Sequence, residues 1–465
     1  DDDTDGDSVG NGDGIAQCGE IIEVFTTIKN KGDHLTGIAA TLSSADPYVS
    51  VRWNTTSTYP NLSAGASAAN DGDWDLAIAA NAPTAHQASL SMRVTADNGG
   101  PWDLDVALPV TCRTLDAVAS IGIEDLDGNG SPDIVTAVEA GSGRPILKAR
   151  DAETGAITGR VGLGRPGWDV VELTPVPGSP SRIAALVTAA NGTTRVVVAD
   201  LATGKRVASV RFGPKGDPVA VAVVPRLKKT AAGLAVLLDF GEGRSRIAAR
   251  TLDGALVTNR GIVLDPIDLE RLDDLGATGA AEVAVLGTNG AGLATTITLD
   301  LRDGTRFSTT SLSAAPAVDL EALRGPGSDT INTLAVLQQL DGEALVTLID
   351  PVTGEVLRKV KVPVAGAVDL EITPPLDGGE GEAVAVFGLS PDGVATAIVA
   401  DPSRARLISG PVFAPGTTPI DLAVLVGYGP SGVTLAALGS TSASTSSIVL
   451  RDAISGVALG TLRVP

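Results

Sequence analysis

Apolar residues recur along this chain with a long period. Runs rich in Ala, Val, Leu and Ile begin at Ile134, Ile183, Leu234, Val283, Leu334, Val384 and Leu435, spaced 49, 51, 49, 51, 50 and 51 residues apart. The runs are short and continuous rather than alternating, as expected of strands buried on both faces. A turn residue follows each run: Gly155, Gly204, Gly254, Gly304, Gly354, then Ala405 in place of Gly, then Gly456. Several of these turns read Asp-x-x-Thr/Ser-Gly, beginning at Asp151, Asp200, Asp350 and Asp452. Asp caps such a turn and Gly takes its left-handed position, which suits a hairpin with a bulge. A fixed period near 50 with several short strands per unit is the signature of propeller blades. The spacing predicts a seven-bladed β-propeller over residues 114–465, with blades at about 117–166, 167–215, 216–265, 266–315, 316–366, 367–417 and 418–465. Each blade is in phase with the chain. No strand is then exchanged between the first and last blades, and closure rests on face packing or on help from residues 113–117.

Residues 17–113 follow a different pattern. Alternating segments at Ile21–Ile28, Ile38–Ser43, Val49–Val51, Trp74–Ile78, Ala88–Val94 and Leu104–Val110 predict short half-buried strands. Asn30-Lys31-Gly32 and Asn98-Gly99-Gly100 mark turns between them. About a hundred residues of this kind fit an Ig-like β-sandwich. The expected fold class is therefore all-β: an N-terminal Ig-like β-sandwich followed by a seven-bladed β-propeller. Ahead of both, residues 1–16 carry six Asp and no basic residue. Such a run does not order alone, so a cation, the body of the protein or a neighbouring subunit must hold it. Asp5, Asp7, Asn11 and Asp13 alternate with Gly there and form a candidate second Ca2+ site, against the simpler reading of a solvated lead-in.

The most specific local signal is EDLDGNGSPDIVTAV, from Glu124 to Val138. Asp125, Asp127, Asn129 and Asp133 stand at positions 1, 3, 5 and 9 of a short loop, with Gly128 and Gly130 allowing a tight backbone. Calcium takes six to eight oxygens, which alternate acidic positions and a backbone carbonyl, here that of Ser131, supply. No Glu stands at position 12 and the flanks read as strands, so this is not an EF-hand. A strand followed by DLDGNGSPDIV resembles the FG-GAP/VCBS-type repeat of integrin-like β-propellers. The resemblance implies a loop joining the first and second strands of a blade. It also implies Ca2+ ligated by the side chains of Asp125, Asp127, Asn129 and Asp133 and the Ser131 carbonyl. The motif is intact once; the fourth blade keeps Asp274, Gly279 and Glu282. Upstream, NGDGIAQCGEIIEVFTTIKNKG followed by ATLSSADPYVSV resembles the CARDB/gingipain-type Ig-like modules of secreted bacterial and archaeal proteins. A Pro often precedes the Gly-Glu pair in that pattern; this chain has Cys18 before Gly19-Glu20.

Composition narrows the functional classes. The net charge of -21, from 34 basic and 55 acidic residues, argues against nucleic acid and anionic membrane surfaces. Aromatics are 3%, too few for a broad stacking surface. A mean hydropathy of +0.23 comes from short strands, and no apolar run approaches the roughly 20 residues of a membrane span. Cys18 and Cys112 flank the first and last strands of the expected sandwich. A bridge between them closes a loop of about 95 residues, worth on the order of 4–5 kcal/mol in the chain-entropy model, and implies an oxidising compartment. The chain is expected to be secreted, extracellular or at the cell surface, with a signal peptide removed ahead of Asp1. Asn54, Asn61 and Asn191 match the N-glycosylation acceptor pattern, and Ser440–Ser447 is a candidate for O-glycans or a polar loop.

The chain carries few residues suited to catalysis. The two histidines, His34 and His86, fall on expected loops of the first domain, so no Ser-His-Asp or Cys-His set exists in the propeller. No zinc cluster or phosphate-binding loop is present, and no acid pair stands out for glycoside hydrolysis. Trp168 is the one Trp of the propeller region, with Trp53, Trp74 and Trp102 upstream. A second recurrence is Asp-Leu at Asp268, Asp319, Asp369 and Asp421, spaced 51, 50 and 52. These carboxylates either bond the adjacent blade or form a cation or ligand ring at the channel mouth. The expected function is a non-catalytic, extracellular, calcium-binding structural or adhesion protein, self-associating head-to-tail into a filament or surface assembly. The alternative is a secreted carbohydrate- or protein-binding propeller taking glycans or a surface ligand.

Overall fold

A computed structural model describes residues 8, 16, 21–79, 86–110, 119–139, 144–165, 167–189, 191–213, 216–228, 231–273, 275, 282–324, 330–413, 417–441 and 446–464. The chain divides into two compact units, one of residues 1–115, 139–144 and 165–167, the other of residues 116–138, 145–164 and 168–465. Among the described residues all regular structure is β-strand.

In the first unit, Trp74–Ile78 pairs on either side with Ile21–Val24 and Val49–Val51. A second sheet runs Thr56–Tyr59, Ile38–Ser44, His86–Ala96 and Gly99–Val110 in that order. Thr27–Lys29 pairs with Ser67–Ala69. Alternation selects the inward side chains: Ile38, Ala40 and Leu42 are buried, while Thr41 and Ser43 are exposed. Both sheets contribute to one core around Trp74 and Leu76. Two expectations need correction. Ile21–Ile28 is two strands rather than one, because the Thr26 N–H donates to Asn70 Oδ1 at 2.6 Å, Phe25 is exposed, and the chain crosses there to another sheet. His86 opens a strand instead of lying on a loop, because the ladder with the next strand runs on to pair it with Val110.

In the second unit, Ala119–Ile123, Asp133–Glu139, Pro145–Asp151 and Ile157–Gly162 form an antiparallel sheet in sequence order. The same four-stranded order recurs over residues 168–213, 217–262, 265–311, 317–362, 366–409 and 417–464. The first strand of each sheet is its inner one: Ala119–Ile123, Trp168–Pro175, Asp217–Lys228, Asp265–Leu272, Ala317–Arg324, Gly366–Thr373 and Thr417–Val426. Consecutive inner strands lie against one another, and the last lies against the first. That cyclic adjacency of repeated sheets is a β-propeller.

The second strand of each sheet carries the apolar run seen in the sequence, and Ile134, Ile183, Leu234, Val283, Leu334, Val384 and Leu435 are all fully buried. Neighbouring sheets cover both of its faces. Val135 and Leu147 of the first sheet pack with Ile183 and Ala185 of the second. The pattern continues around to Phe387 of the sixth sheet with Leu422 and Leu435 of the seventh. Burying each such side chain contributes about 1.5–3 kcal/mol, so the inter-sheet faces hold most of the stability. The third and fourth strands meet in the bulged turns that the Gly period marks. φ is +72° at Gly155, +68° at Gly456 and +51° at Ala405, the one of these turns without Gly.

Among the described residues no strand is exchanged where the ring closes, since all four strands of the last sheet come from residues 417–464. The inner strands approach closely there. A Cβ on Gly122 would lie 2.2 Å from the Val424 carbonyl oxygen, so the seam needs glycine at that position. At the outer end, Gly155 of the first sheet sits against Leu462 of the last.

Candidate functional site

The loop of the first sheet is organised by its own acidic side chains. Asp125 Oδ1 accepts the N–H of Gly128 at 2.7 Å and of Asn129 at 3.3 Å, and Oδ2 accepts that of Gly130 at 2.7 Å. These bonds, led by that from Gly130, hold the Asp125 carboxyl below its usual range. Asp127 Oδ1 accepts from Asn129 N at 3.1 Å, and Asn129 Oδ1 from Ser131 N at 2.7 Å. Asp133 is fully buried at the start of the second strand. Its Oδ2 accepts from Leu126 N at 2.7 Å, and its Oδ1 accepts the Thr158 hydroxyl. Burial pushes its pKa up, and the nearby charges of Asp127 and Asp151 add to that effect.

Asp151 is a member of this group that the motif spacing does not reveal. It is buried at the turn after the third strand, and its Oδ2 accepts Asn129 Nδ2 at 2.9 Å. Burial raises its pKa, but bonds from Thr154 and Asn129 outweigh burial and hold it low. The aspartate at the same turn elsewhere has a different partner. Asp200 meets Arg182 at 3.2 Å, Asp300 meets Arg302 at 3.1 Å, and Asp401 meets Arg404 at 3.7 Å. Asp452 instead accepts the N–H groups of Ser431 and Ser455. In the first sheet, Asp125, Asp127, Asp133 and Asp151 make no ion pair with Lys or Arg among the described residues. This donor set of hard oxygens with uncompensated charge fits a divalent cation in chemistry. The loop oxygens are turned onto backbone N–H groups, however. Among the described residues, three carboxylate oxygens come within 4.8 Å of one another only at Glu23, Asp73 and Asp75. In the fourth sheet, Glu282 accepts Leu275 N at 3.3 Å, repeating the Asp133–Leu126 bond; Asp274 and Gly279 lie outside the described residues.

The second concentration of acid lines the central channel, a cavity of ≈ 620 Å³. The Asp-Leu aspartates bond the adjacent sheet, the first of the two readings given above. Asp268 Oδ2 accepts Leu320 N at 3.1 Å, Asp319 Oδ2 accepts Leu370 N at 2.8 Å, and Asp369 Oδ2 accepts Leu422 N at 2.6 Å. Asp421 Oδ2 completes the series across the seam by accepting the Ser120 N–H and hydroxyl. The sequence reading missed Glu172, which accepts Val221 N of the third sheet in the same manner. An inner strand has a free edge whose N–H groups need acceptors, and these carboxylates supply them. A register shift just before each of these acids turns it towards the next strand. Two residues further on, Glu270, Glu321 and Glu371 face the same channel, as the two-residue period of a strand requires. Burial first, and neighbouring carboxylates second, push Glu172, Glu270, Glu321 and Glu371 well above their usual range.

Of the other residues singled out by sequence, Asp5, Asp7, Asn11, Asp13, Cys18 and Cys112 lie outside the described residues. Asn54, Asn61 and Asn191 are exposed. Asn54 Nδ2 donates to Asp75 Oδ2 at 3.0 Å, whereas Asn61 and Asn191 accept at Oδ1, from Gly37 N and Thr193 N. Trp168 is half-buried beneath Arg195, and Trp74 is core.

No protein-family model matches the chain, and no curated protein is similar to it. Among solved structures it is similar to the BBS1 N-terminal domain in complex with ARL6, at 16% identity and a TM-score of 0.49 over 74% of this chain and 94% of that one. It is also similar to the Dos1 propeller, at 13% identity and a TM-score of 0.47 over 76% and 83%. Saccharomyces cerevisiae Sqt1 matches at 13% identity and a TM-score of 0.47 over 75% and 86%. The propeller assignment stands on the strand order and inner-strand adjacency described above.

Proposed function

We propose that the chain is a non-catalytic, calcium-stabilised structural or adhesive protein of an extracellular or cell-surface assembly. In this reading an Ig-like sandwich precedes a seven-bladed propeller of the FG-GAP/VCBS type. The contrast among the turn aspartates carries the reading. Asp200, Asp300 and Asp401 each face an arginine, whereas Asp151 faces Asn129 in a group with Asp127 and Asp133. Ca2+ bound there supplies the positive charge that arginine supplies in the second, fourth and sixth sheets. Asp125, Asp127, Asn129 and Asp133 would hold it by side chains and Ser131 by its carbonyl.

In this reading the channel aspartates are structural, since they are engaged with backbone donors of the adjacent sheets. Head-to-tail contact between unlike ends of such a chain is heterologous and generates filaments when it does not close. A Cys18–Cys112 bridge suits the same extracellular setting. Electron microscopy of native material, with and without a calcium chelator, tests the assembly. Ordered filaments that are lost in chelator agree with the proposal, and dispersed particles in both conditions contradict it.

One observation favours the alternative of a protein-binding module. Ile157, Val207, Leu256, Val356 and Leu407 are exposed near the start of the outer strand in five of the sheets. Repeated aliphatics on one rim suit a protein partner better than a sugar.

A further inference from the structure

Two of the three adjacent aspartate pairs of the channel share a donor. The Leu320 N–H is met by Asp268 Oδ2 at 3.1 Å and by Asp319 Oδ1 at 2.8 Å. The Leu370 N–H is met by Asp319 Oδ2 at 2.8 Å and by Asp369 Oδ1 at 2.9 Å. Two carboxylate oxygens converging on one hydrogen lie beside each other. One N–H does not neutralise two negative charges, and carboxylates this close repel each other. A proton held between two such carboxyls turns the repulsion into a bond, as in other close carboxyl pairs.

The surrounding charge makes the problem worse. Glu270, Glu321 and Glu371 face the ladder from its own strands, and Glu172 faces it from the second sheet. The third sheet presents Val219, Val221 and Val223 to the channel, and the first presents Ser120. Among the described residues two basic side chains line the cavity, and each has its own carboxylate: Arg271 pairs with Asp273 at 3.5 Å and Arg324 with Glu382 at 3.2 Å.

We propose that the aspartates at 268, 319, 369 and 421 form a proton-sharing ladder that makes closure of the propeller ring pH-sensitive: tight when partly protonated, loosened as the ladder ionises. The direction of titration agrees. Burial pushes Asp268 up. Burial together with the Asp268 and Asp369 charges pushes Asp319 well up, and burial with the Asp369 charge does the same to Asp421. Carboxyls raised in the folded state bind protons that the unfolded chain has released. Their stabilising effect is therefore complete below the ordinary carboxyl range and is lost as pH rises through the raised values.

The test is thermal unfolding of the full chain from about pH 5 to about pH 9 in chelator, where titration of raised carboxyls is read directly. The melting temperature of the parent should fall by several degrees across that range. Asp319→Asn, whose amide stands in for a protonated carboxyl, should melt above the parent at the alkaline end and flatten the profile. Glu321→Gln, a residue with no backbone donor to lose, should flatten it too, which keeps the test open if the first variant fails to fold. Parallel profiles for the parent and the variant that folds would overturn the proposal. So would a profile that flattens only when Ca2+ or Mg2+ is added, since the ladder would then hold a cation in place of protons.

Discussion

Asp421 Oδ2 accepts the backbone N–H and the hydroxyl of Ser120, a residue 301 positions earlier in the chain. This contact joins the last inner strand to the first. Among the described residues no strand is exchanged across the seam, so this bond and the packing of the two inner strands close the ring.

Removing that carboxylate tests the seam. Asp421→Ala leaves the Ser120 N–H without its acceptor, which costs about 1–3 kcal/mol, offset in part by relief of repulsion within the channel. Hydrogen exchange at the Ser120 amide should accelerate, while the amide of Val285 in the fourth sheet keeps its rate. Equal protection of Ser120 in parent and variant would show that closure does not depend on this bond.

The close approach at Gly122 gives a second test of the same seam. Alanine there places a Cβ 2.2 Å from the Val424 carbonyl oxygen, so backbone must move. The expected loss is about 1–3 kcal/mol, as for other overpacked sites. Chemical denaturation measures it, and an unchanged midpoint would refute the close approach.

Ala405 has φ +51° at a turn where its counterparts are glycine. The left-handed conformation costs a residue with a Cβ about 1–2 kcal/mol. Ala405→Gly removes that strain but adds about 0.5–1 kcal/mol of unfolded-state entropy. The net expectation is a small gain, seen as a higher denaturation midpoint; a lower midpoint would contradict it.

Much of the architecture was legible in the sequence because each sheet repeats the same burial problem. The second strand is covered on both faces, so its apolar run returns every 50 residues or so, and the bulged turn brings back its Gly, with Ala405 the exception. Pairing between distant segments was not legible. Glu23 stands opposite Asp75 only because their strands pair in that register. Asp151 joins the loop acids only because the third-strand turn folds over them. The Asp-Leu repeat was visible, but the register shift that aims each Asp at the next strand is a property of the folded sheet. The same shift, between Val170 and Glu172, explains why Glu172 belongs to the channel belt without sharing the motif.

Acid should weaken the propeller by a separate route. Burial raises the Asp452 pKa, but bonds from Ser455 and Ser431 prevail and lower it to about 2. A carboxyl depressed in the folded state stabilises above its unfolded pKa, and that contribution is lost as pH falls from about 4 towards about 2. Asp452→Asn should melt below the parent at neutral pH and show a shallower acid limb. Acid limbs of equal steepness would contradict this assignment.

In the proposed function Ca2+ neutralises the acidic group of the first sheet. Its most direct test is the melting temperature in calcium and in chelator, for the parent and for Asp127→Ala. Calcium should raise the melting of the parent by several degrees and leave that of the variant unmoved. Identical melting of the parent in calcium and in chelator would contradict it.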